Sequence, residues 1–270
     1  VSVGGYASLP AVLAARLRGV PIVVVSFDRT PGKSSEYTAR FAAATAAAFP
    51  DCPLPRAVHT GAPVRRAVRR VDRHADRTAA RQRLGVPVDR FLVAAIGGSL
   101  GSRLVNDAIS TYAANHRDDA ALAIFHVAGE RLLDEVPTRA ADDDALIHRV
   151  VGFEPEFEAV YAACDLLVGR GGASTVADVA VTGTPAILVP WSGAAENHQQ
   201  ANVEWLADAG GALLLPESAI ATVGEEIERL RTDPAALAAL ATNAAGRGAT
   251  HRAGALGELI ERIADGGVIA

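Results

Sequence analysis

The sequence predicts an α/β protein with parallel sheets. Short apolar or β-branched runs, such as residues 21–26 and 91–96, have the length and composition of buried strands. They alternate with segments in which apolar residues recur at helical spacing, and glycine-rich turns separate the two kinds of segment. Alternating strands and helices form crossover units whose neighbouring strands run parallel. The 270 residues suffice for one large or two modest domains.

Composition narrows the class of protein. The formal net charge of −5 argues against a nucleic-acid partner. No apolar run reaches the roughly 18 residues that span a bilayer, and the first residues lack the pattern of a signal peptide. Cys52 and Cys164 are far apart, which favours neither a disulfide framework nor a metal site and suggests a reducing cytoplasm. The chain has no methionine and opens in what resembles the end of a strand, so we expect an N-terminally truncated chain.

The first third of the chain predicts one strand-helix-strand unit. A strand end at residues 1–3 leads through a glycine turn to a helix at 9–18 and a buried strand at 21–26. The alanine-rich residues 35–48 predict a helix. Two further elements are expected before residue 90: a short strand at 58–60 and a helix at 76–84 that ends at Gly85.

Two strand-turn-helix corners follow. A strand at 91–96 runs into the glycine-rich turn 97–103 and then into a helix. In the second corner a strand at 166–168 ends at Gly169, and Ser174 or Thr175 is expected to cap a helix that begins near Val176. Free backbone N–H groups and the helix dipole make such a corner a binding site for anions.

Polar side chains continue the second corner. Asp178 lies about one turn into the predicted helix, where its carboxylate can accept two hydrogen bonds from the cis-diol of a ribose. After a strand at 186–189, the first turn of the next helix carries Gln199, Gln200 and Asn202. Their amides both donate and accept hydrogen bonds, which suits neutral sugar hydroxyls.

The remaining elements complete the alternation. Residues 142–144 superficially match a metal-binding Asp-x-Asp pattern, but they lie in a polar, poorly patterned segment that predicts a solvated loop. The other predicted elements are strands at 121–127, 148–153 and 212–215 and helices at 157–163, 223–230, 234–241 and 255–264.

Three blocks, in order, resemble the nucleotide-sugar signature of MurG-like glycosyltransferases, which have the GT-B fold. They are residues 170–178, 183–190 and 199–202. The resemblance implies two Rossmann-like domains facing each other across a cleft. Residues 1–64 would be a partial acceptor-side domain, residues 65–250 the UDP-sugar domain, and residues 251–270 a helix returning to the first domain.

The resemblance also implies a set of site residues. Ser99 and the neighbouring amides would hold phosphate, Asp178 the ribose, and the glutamines the sugar. No cofactor or metal is expected, because helix dipoles and cationic side chains can stabilise a departing pyrophosphate. The acceptor-binding residues would be Gly4, Gly5, Tyr6 and Ser8. The donor-binding residues would be Arg65, Ser99, Leu100, Gly101, Phe153, Glu154, Ala173, Ser174, Thr175, Asp178, Gln199, Gln200 and Asn202.

The implied function is inverting transfer of N-acetylglucosamine from UDP-N-acetylglucosamine to the 4-hydroxyl of a lipid-linked muramyl-pentapeptide in peptidoglycan synthesis. The protein would act as a peripheral protein at the inner membrane surface, on its cytoplasmic face, without nucleic acid. The family's candidate general base is a histidine that would precede Val1. No catalytic residue is therefore assigned, and we expect the chain to bind donor without turning over alone.

Simpler structural roles remain open for several of these residues. Gly4 and Gly5 can form a plain strand-to-helix turn, and the glycines of residues 97–103 can serve close packing. Arg65 can be a surface residue, like part of the arginine run that follows it, which could otherwise meet anionic lipid. Phe153 can belong to the core. His198 is expected to have a capping or solvent role.

Other functions remain open as well. Residues 26–29, Ser-Phe-Asp-Arg, depart from the family's His-Glu-Gln-Asn-type stretch. Because of that departure, a related UDP-sugar transferase with a glycolipid or natural-product acceptor remains an alternative function. A UDP-N-acetylglucosamine 2-epimerase shares the two-domain fold, and a non-catalytic UDP-sugar-binding subunit is the third alternative.

Overall fold

The computed structural model describes residues 1–98, 100–137 and 145–267. Two sequence predictions, the phosphate contact of Ser99 and the solvated loop at 142–144, lie outside these residues. Within the described ranges, no helix is both long and apolar enough to cross a bilayer.

A small parallel sheet forms first. Its strands lie in chain order and are β1 (Val23–Ser26), β2 (Ala44–Ala47) and β3 (Ala57–His59). Ser2 makes an isolated parallel bridge to Val24, so the expected strand end at residues 1–3 is reduced to one residue. The helices around this sheet are α1 (Leu9–Leu17) and α2 (Lys33–Ala39).

The alanine-rich residues 35–48 do not form one helix. The helix ends at Ala39, and Ala44–Ala47 is a fully buried strand between β1 and β3. Alanine favours helix locally, but pairing with two neighbouring strands supplies hydrogen-bond partners for the backbone of this buried segment. Small side chains also let other elements approach the sheet closely, so tertiary pairing overrides local propensity.

A six-stranded parallel sheet forms the larger part of the molecule. Its strand order is β6-β5-β4-β7-β8-β9. The chain starts at β4, builds outward through β5 and β6, and then returns to place β7 on the other side of β4. The strands are β4 (Phe91–Ile96), β5 (Leu122–Val127), β6 (Ile147–Val151), β7 (Leu166–Arg170), β8 (Ala186–Val189) and β9 (Leu213–Leu214).

Helices cover both faces of this sheet, and the two sets of buried side chains form separate clusters. The helices are α3 (Arg66–Arg69), α4 (Arg77–Leu84), α5 (Arg103–Asn115), α6 (Phe157–Ala163), α7 (Ala173–Thr182), α8 (His198–Ala207), α9 (Val223–Arg231), α10 (Pro234–Arg247) and α11 (Ala249–Ala253). Most strands and helices fall within a few residues of the predicted ones, but α10 extends six residues beyond its predicted end, and α3 and α11 were not predicted.

The last helix, α12 (Ala255–Ala264), packs on the small sheet. Leu259 and Ile263 join a buried cluster with Val23 and Val25 of β1 and with alanines of β2. The chain therefore ends against the sheet with which it began, and this helix links the two halves.

Buried arginines join the elements of the larger half. Arg81 is fully buried; its Nη2 lies 2.7 Å from Asp165, and its other nitrogens donate to backbone carbonyls. Asp165 also accepts from the backbone N–H of Leu92 on β4. Arg73, from the arginine run of which one face was expected to be solvated, donates to the carbonyls of Tyr161, Cys164 and Gly183.

Candidate functional site

Two helix N-termini meet where the strand order reverses. β4 and β7 are neighbours in the sheet, and each is followed by a glycine turn and a long helix, α5 or α7. In open parallel sheets, ligands bind outside the carboxyl ends of the strands at such a switch point. The unpaired N–H groups of both helices and both dipoles favour an anion there.

The second of these helices begins earlier than the sequence indicated. Gly172, in extended conformation, is the N-cap, and Ala173 is the first helical residue, so neither Ser174 nor Thr175 caps the helix. The turn leaves no room for a side chain at Gly171, because a Cβ there would lie 2.3 Å from the Val203 side chain of α8. The hydroxyls of Ser174 and Thr175 therefore sit in the first turn, at the wall of the site.

A cavity of about 980 Å³ lies in front of both helices, and we call it the larger cavity. Its volume is in the range of ligand sites for small molecules. Of the predicted donor-binding residues, it contains Leu100, Gly101, Ala173, Ser174, Thr175 and Gln199. Its lining is Phe27, Asp28, Gly97, Gly98, Leu100, Gly101, Ser102, Arg103, Leu104, Arg170, Gly172, Ala173, Ser174, Thr175, Trp191, His198, Gln199 and Glu217.

The first turn depends on a glycine with positive φ. Gly101 has φ +76°, and a Cβ there would lie 2.4 Å from the Ala128 carbonyl oxygen. Ser102 then caps α5, accepting from the backbone N–H of Val105 at 3.4 Å. Asn106 donates to the same Ala128 oxygen at 3.0 Å. The loop is therefore held against the end of β5, with its backbone open to the cavity.

Arg170 and Glu217 form an ion pair at the cavity wall. Arg170 Nη1 lies 2.6 Å from Glu217 Oε1, and both side chains are mostly buried. The Ser192 backbone N–H donates to Glu217 Oε2 at 3.0 Å, and the Ser192 hydroxyl donates to the same atom. Burial alone would raise the pKa of Glu217, but the Ser192 and Arg170 hydrogen bonds hold that pKa below its ordinary value. This network fixes the loop that carries Trp191, whose side chain is 50% exposed.

The first turn of α8 presents residues one position earlier than predicted. His198 and Gln199 line the cavity. Gln200 does not line it; its amide donates to Glu204 at 2.9 Å along the helix. Gln199 Oε1 accepts from the Trp191 backbone N–H at 3.0 Å, so its NH₂ group remains to meet a ligand.

Asn202 has a different role from the one predicted. Its side chain is fully buried and lies between the two halves of the protein. Its Oδ1 accepts from the Arg29 backbone N–H at 2.9 Å, and its Nδ2 donates to Asp28 Oδ1 at 2.8 Å. With its amide committed to these partners, Asn202 links α8 to the segment after β1 and does not contact the larger cavity.

Asp178 lies on the other flank of α7 with Arg65, outside the residues that line the larger cavity. It accepts a hydrogen bond from the Tyr161 hydroxyl at 3.2 Å. Burial raises the pKa of Asp178 to about 6, against the opposing effects of Tyr161 and Arg65. The Arg65 guanidinium also lies 5.9 Å from the centre of the Phe157 ring. The structure thus brings Asp178 and Arg65 together. Their contacts with the ribose and the pyrophosphate of a donor stay predictions.

Phe153 and Glu154 follow β6, at the same edge of the sheet. The Phe153 side chain is 60% exposed, so the alternative that it belongs to the core is wrong. Glu154 is buried, and its carboxylate accepts from Arg83 and from the Glu156 backbone N–H, each at 2.8 Å. Glu154 can therefore offer a ligand its backbone rather than its carboxylate.

A second cavity of about 360 Å³, the smaller cavity, adjoins the small sheet. Gly5 and the 73% exposed Tyr6 line it, whereas Gly4 and Ser8 do not. Ser8 instead donates to the Gly5 carbonyl at 2.8 Å. The smaller cavity is lined by Gly5, Tyr6, Asp28, Thr30, Gly32, Lys33, Ser34, Ser35, Glu196 and His198. Lys33 is the single lysine of the sequence.

Several residues at these cavities were not predicted from the sequence. Asp28 follows β1, Trp191 follows β8, and Arg170 ends β7, so each lies at the carboxyl end of a parallel strand. That position was the available signal, because such ends line ligand sites. His198 was considered for capping or solvent, but it lines both cavities.

Comparisons with known proteins agree with this geometry. The model of the glycosyltransferase family 28 C-terminal domain matches residues 92–255. The UDP-N-acetylglucosamine–N-acetylmuramyl-(pentapeptide) pyrophosphoryl-undecaprenol N-acetylglucosamine transferases of Acidothermus cellulolyticus and Nocardioides sp. are 36% and 35% identical to this chain. These alignments cover 98% and 91% of the chain and 72% and 67% of the two relatives. The crystal structure of Acinetobacter baumannii MurG superposes with a TM-score of 0.73 and 26% identity, covering 96% of this chain and 72% of that one.

Proposed function

The chain belongs to glycosyltransferase family 28, and we propose that it transfers N-acetylglucosamine from UDP-N-acetylglucosamine to the 4-hydroxyl of a lipid-linked N-acetylmuramyl-pentapeptide. The observation that carries this proposal is the pair of helix N-termini that open on one cavity at the switch point. The MurG-type transferases, about 35% identical over nearly the whole chain, are named for this donor and acceptor. The reaction belongs to peptidoglycan synthesis.

The donor's pyrophosphate would lie across the N-termini of α5 and α7. Backbone N–H groups and both dipoles are in place before reaction, so they stabilise the negative charge that develops on the leaving UDP. Ser99 would add a hydroxyl, and Arg65 a positive charge. This arrangement binds the leaving group more strongly as its charge grows, which lowers the barrier to transfer.

The rest of the donor would extend to both sides of the pyrophosphate. The ribose hydroxyls would bind Asp178, and the uracil would lie against Phe153 and the backbone of Glu154. On the other side, Gln199 would meet the sugar with its free NH₂ group, next to the exposed indole of Trp191. With the uracil at Phe153 and the sugar at Gln199, the anomeric carbon would face the small sheet.

The acceptor would bind on the side of the small sheet. We assign residues 1–64 and the returning helix of residues 251–270 to the acceptor side, and residues 65–250 to the donor side. Because the acceptor carries a polyprenyl chain, the protein would work as a peripheral protein on the cytoplasmic face of the inner membrane. The diphosphate of the acceptor would lie near Gly5 and Tyr6.

Calorimetric titration with UDP-N-acetylglucosamine, UDP-glucose and a GDP-sugar tests the donor assignment. We expect selective binding of UDP-N-acetylglucosamine, weakened in Asp178→Ala by about tenfold to a hundredfold, since hydrogen bonds to a charged group are worth about 1.5–3 kcal/mol. Equal affinity for the GDP-sugar would contradict the assignment.

Product analysis separates the alternative functions. Incubation with donor alone would yield the mannosamine epimer from an epimerase and none from a transferase. Transfer to a natural-product acceptor, but not to the lipid-linked muramyl-pentapeptide, would favour a related transferase. Activity that appears only when a membrane subunit is added would favour a UDP-sugar-binding subunit.

A further inference from the structure

The two cavities of the cleft share two lining residues. Within the described part of the chain, Asp28 and His198 are the residues that line both the larger and the smaller cavity. If the larger cavity holds the donor and the smaller one the acceptor, these residues lie where the sugar's anomeric carbon meets the attacking hydroxyl. Asp28 comes from the end of β1 and His198 from the first turn of α8.

The carboxylate of Asp28 is held in a defined orientation. Asn202 Oδ1 accepts from the Arg29 backbone N–H, so the other end of the same amide must be its NH₂ group, which donates to Asp28 Oδ1 at 2.8 Å. Asn202 is fully buried, so water does not compete for this contact. The amide therefore fixes the Asp28 side chain at the passage between the two cavities.

The other carboxylates at the two cavities are less suitable as a base. Glu217 already accepts from Arg170 and from both the backbone and the hydroxyl of Ser192. Glu196 lines the smaller cavity alone. Asp28 is thus the one carboxylate, among the residues described, that borders both proposed substrates.

We propose that Asp28, rather than the histidine implied by the family resemblance, is the general base of the transfer. This inference rests on the proposed function, and it replaces the expectation that the chain would bind donor without turning over alone. The Asp28 carboxylate removes the proton of the acceptor's 4-hydroxyl as that oxygen forms a bond to the anomeric carbon. The bond from the anomeric carbon to the pyrophosphate oxygen breaks, and its electron pair leaves with UDP. The proton ends on Asp28, and the configuration at the anomeric carbon is inverted.

Several charged groups lie around the passage. The smaller cavity adds Lys33 and Glu196, and the larger cavity adds Arg103 and Arg170, the latter paired with Glu217. His198 borders both. Arg29, the next residue in the chain, pairs at 3.6 Å with Asp51, which is outside both cavities.

Asp28→Asn separates basicity from structure, because the amide keeps the shape and an oxygen that can accept from Asn202. With the lipid-linked acceptor, we expect kcat to fall by about 10²–10⁴-fold. The donor's dissociation constant should change by less than threefold. At saturating donor, which removes the effect of Asp178 on donor binding, the fall of kcat at low pH in the wild type should disappear in the variant, whereas a merely structural role would leave that fall in place.

Asp51→Asn is the matched control, since it makes the same chemical change next to Arg29 but outside both cavities. Its kcat should stay within about twofold of the wild type. Asp28→Glu, which keeps a carboxylate, should recover part of the activity that Asp28→Asn loses.

Three results would overturn the proposal. They are a loss of kcat below tenfold in Asp28→Asn, a loss of donor binding in parallel with kcat, and wild-type protein that binds donor but transfers no sugar to the acceptor. A wild-type protein that fails to bind UDP-N-acetylglucosamine at all would instead refute the proposed function, so the two failures can be distinguished.

Discussion

The six-stranded sheet presents two helix N-termini and their glycine turns to its cavity, together with side chains, whereas the small sheet presents a short helix turn and polar side chains. The larger cavity is bordered by two glycine turns and two helix N-termini. The smaller cavity is bordered by Tyr6, Asp28, Lys33 and neighbouring hydroxyls. An amino-acid substitution keeps the backbone groups of a residue but replaces its side chain. If the proposed assignment of the two cavities is correct, we expect donor binding to draw partly on backbone groups and acceptor choice to depend on a few replaceable side chains.

The interactions that hold the two sheets in place also differ. The larger sheet is braced by the buried pair of Arg81 and Asp165. The small sheet is covered by apolar contacts from α12, through Leu259 and Ile263. This ion pair joins α4 to the starts of β4 and β7, at the edge of the sheet opposite the helix N-termini that border the larger cavity.

The largest expected effect would follow from breaking that ion pair. Arg81→Ala removes the fully buried donor to several backbone carbonyls and one of the two guanidinium partners of Asp165, which keeps Arg77 at 2.6 Å. Because the carbonyls stay buried without a donor, we expect the free energy of unfolding to fall by about 3–5 kcal/mol. Urea denaturation followed by circular dichroism measures it.

Arg103→Ala is the control, because Arg103 pairs with Glu135 at 2.5 Å but both side chains are largely exposed. That change should cost less than about 1 kcal/mol. If Arg81→Ala lowered the free energy of unfolding by a similarly small amount, the buried ion pair would contribute no more to stability than the exposed one.

A smaller effect concerns the pH dependence of donor binding. The pKa of Asp178 is about 6, and the ionised form is the one that accepts both ribose hydrogen bonds. Protonation below that pH should therefore weaken donor affinity by about tenfold between pH 7 and pH 5. Calorimetry at both pH values measures it, with circular dichroism to confirm that the fold is intact.

Asp178→Asn should bind donor more weakly at pH 7 but with no pH dependence over this range. The contribution of Asp178 to the free energy of unfolding changes with pH in the opposite direction. Because burial raises the folded pKa of Asp178 above its ordinary value of 3.8, the folded protein gains stability from this residue as the pH falls from 6 toward 4. A donor affinity that stays constant from pH 7 to pH 5 in the wild type would argue against a ribose contact.

The smallest expected effect distinguishes two neighbouring amides. Gln199→Ala removes a side chain at the larger cavity and should weaken donor binding by about 0.5–1.5 kcal/mol, the usual value of one neutral hydrogen bond. Gln200→Ala removes an amide that faces Glu204 and should leave the affinity unchanged within error. Equal losses in calorimetric titration would mean that the helix presents both residues to the sugar.

Much of the donor half could be predicted from sequence because it depends on local signals. Apolar runs, glycine turns and helix periodicity placed β4, β7, α5 and α7 in the correct order, and α12 was predicted with the observed bounds. The start of α7 was wrong by three residues. The close approach of Gly171 to Val203, which sets that start, is a contact between distant segments.

The sequence by itself determined the alternation of strands and helices, the family, and the two strand-turn-helix corners, since each follows from residues close together in the chain. Only the tertiary structure decided that Ala44–Ala47 is a strand, because its hydrogen-bond partners lie in other segments. It also decided that Gln200 turns away, that Asn202 joins the two halves, and that Asp28 and His198 border both cavities. These properties depend on which distant residues meet, and the chain reveals them only when it is folded.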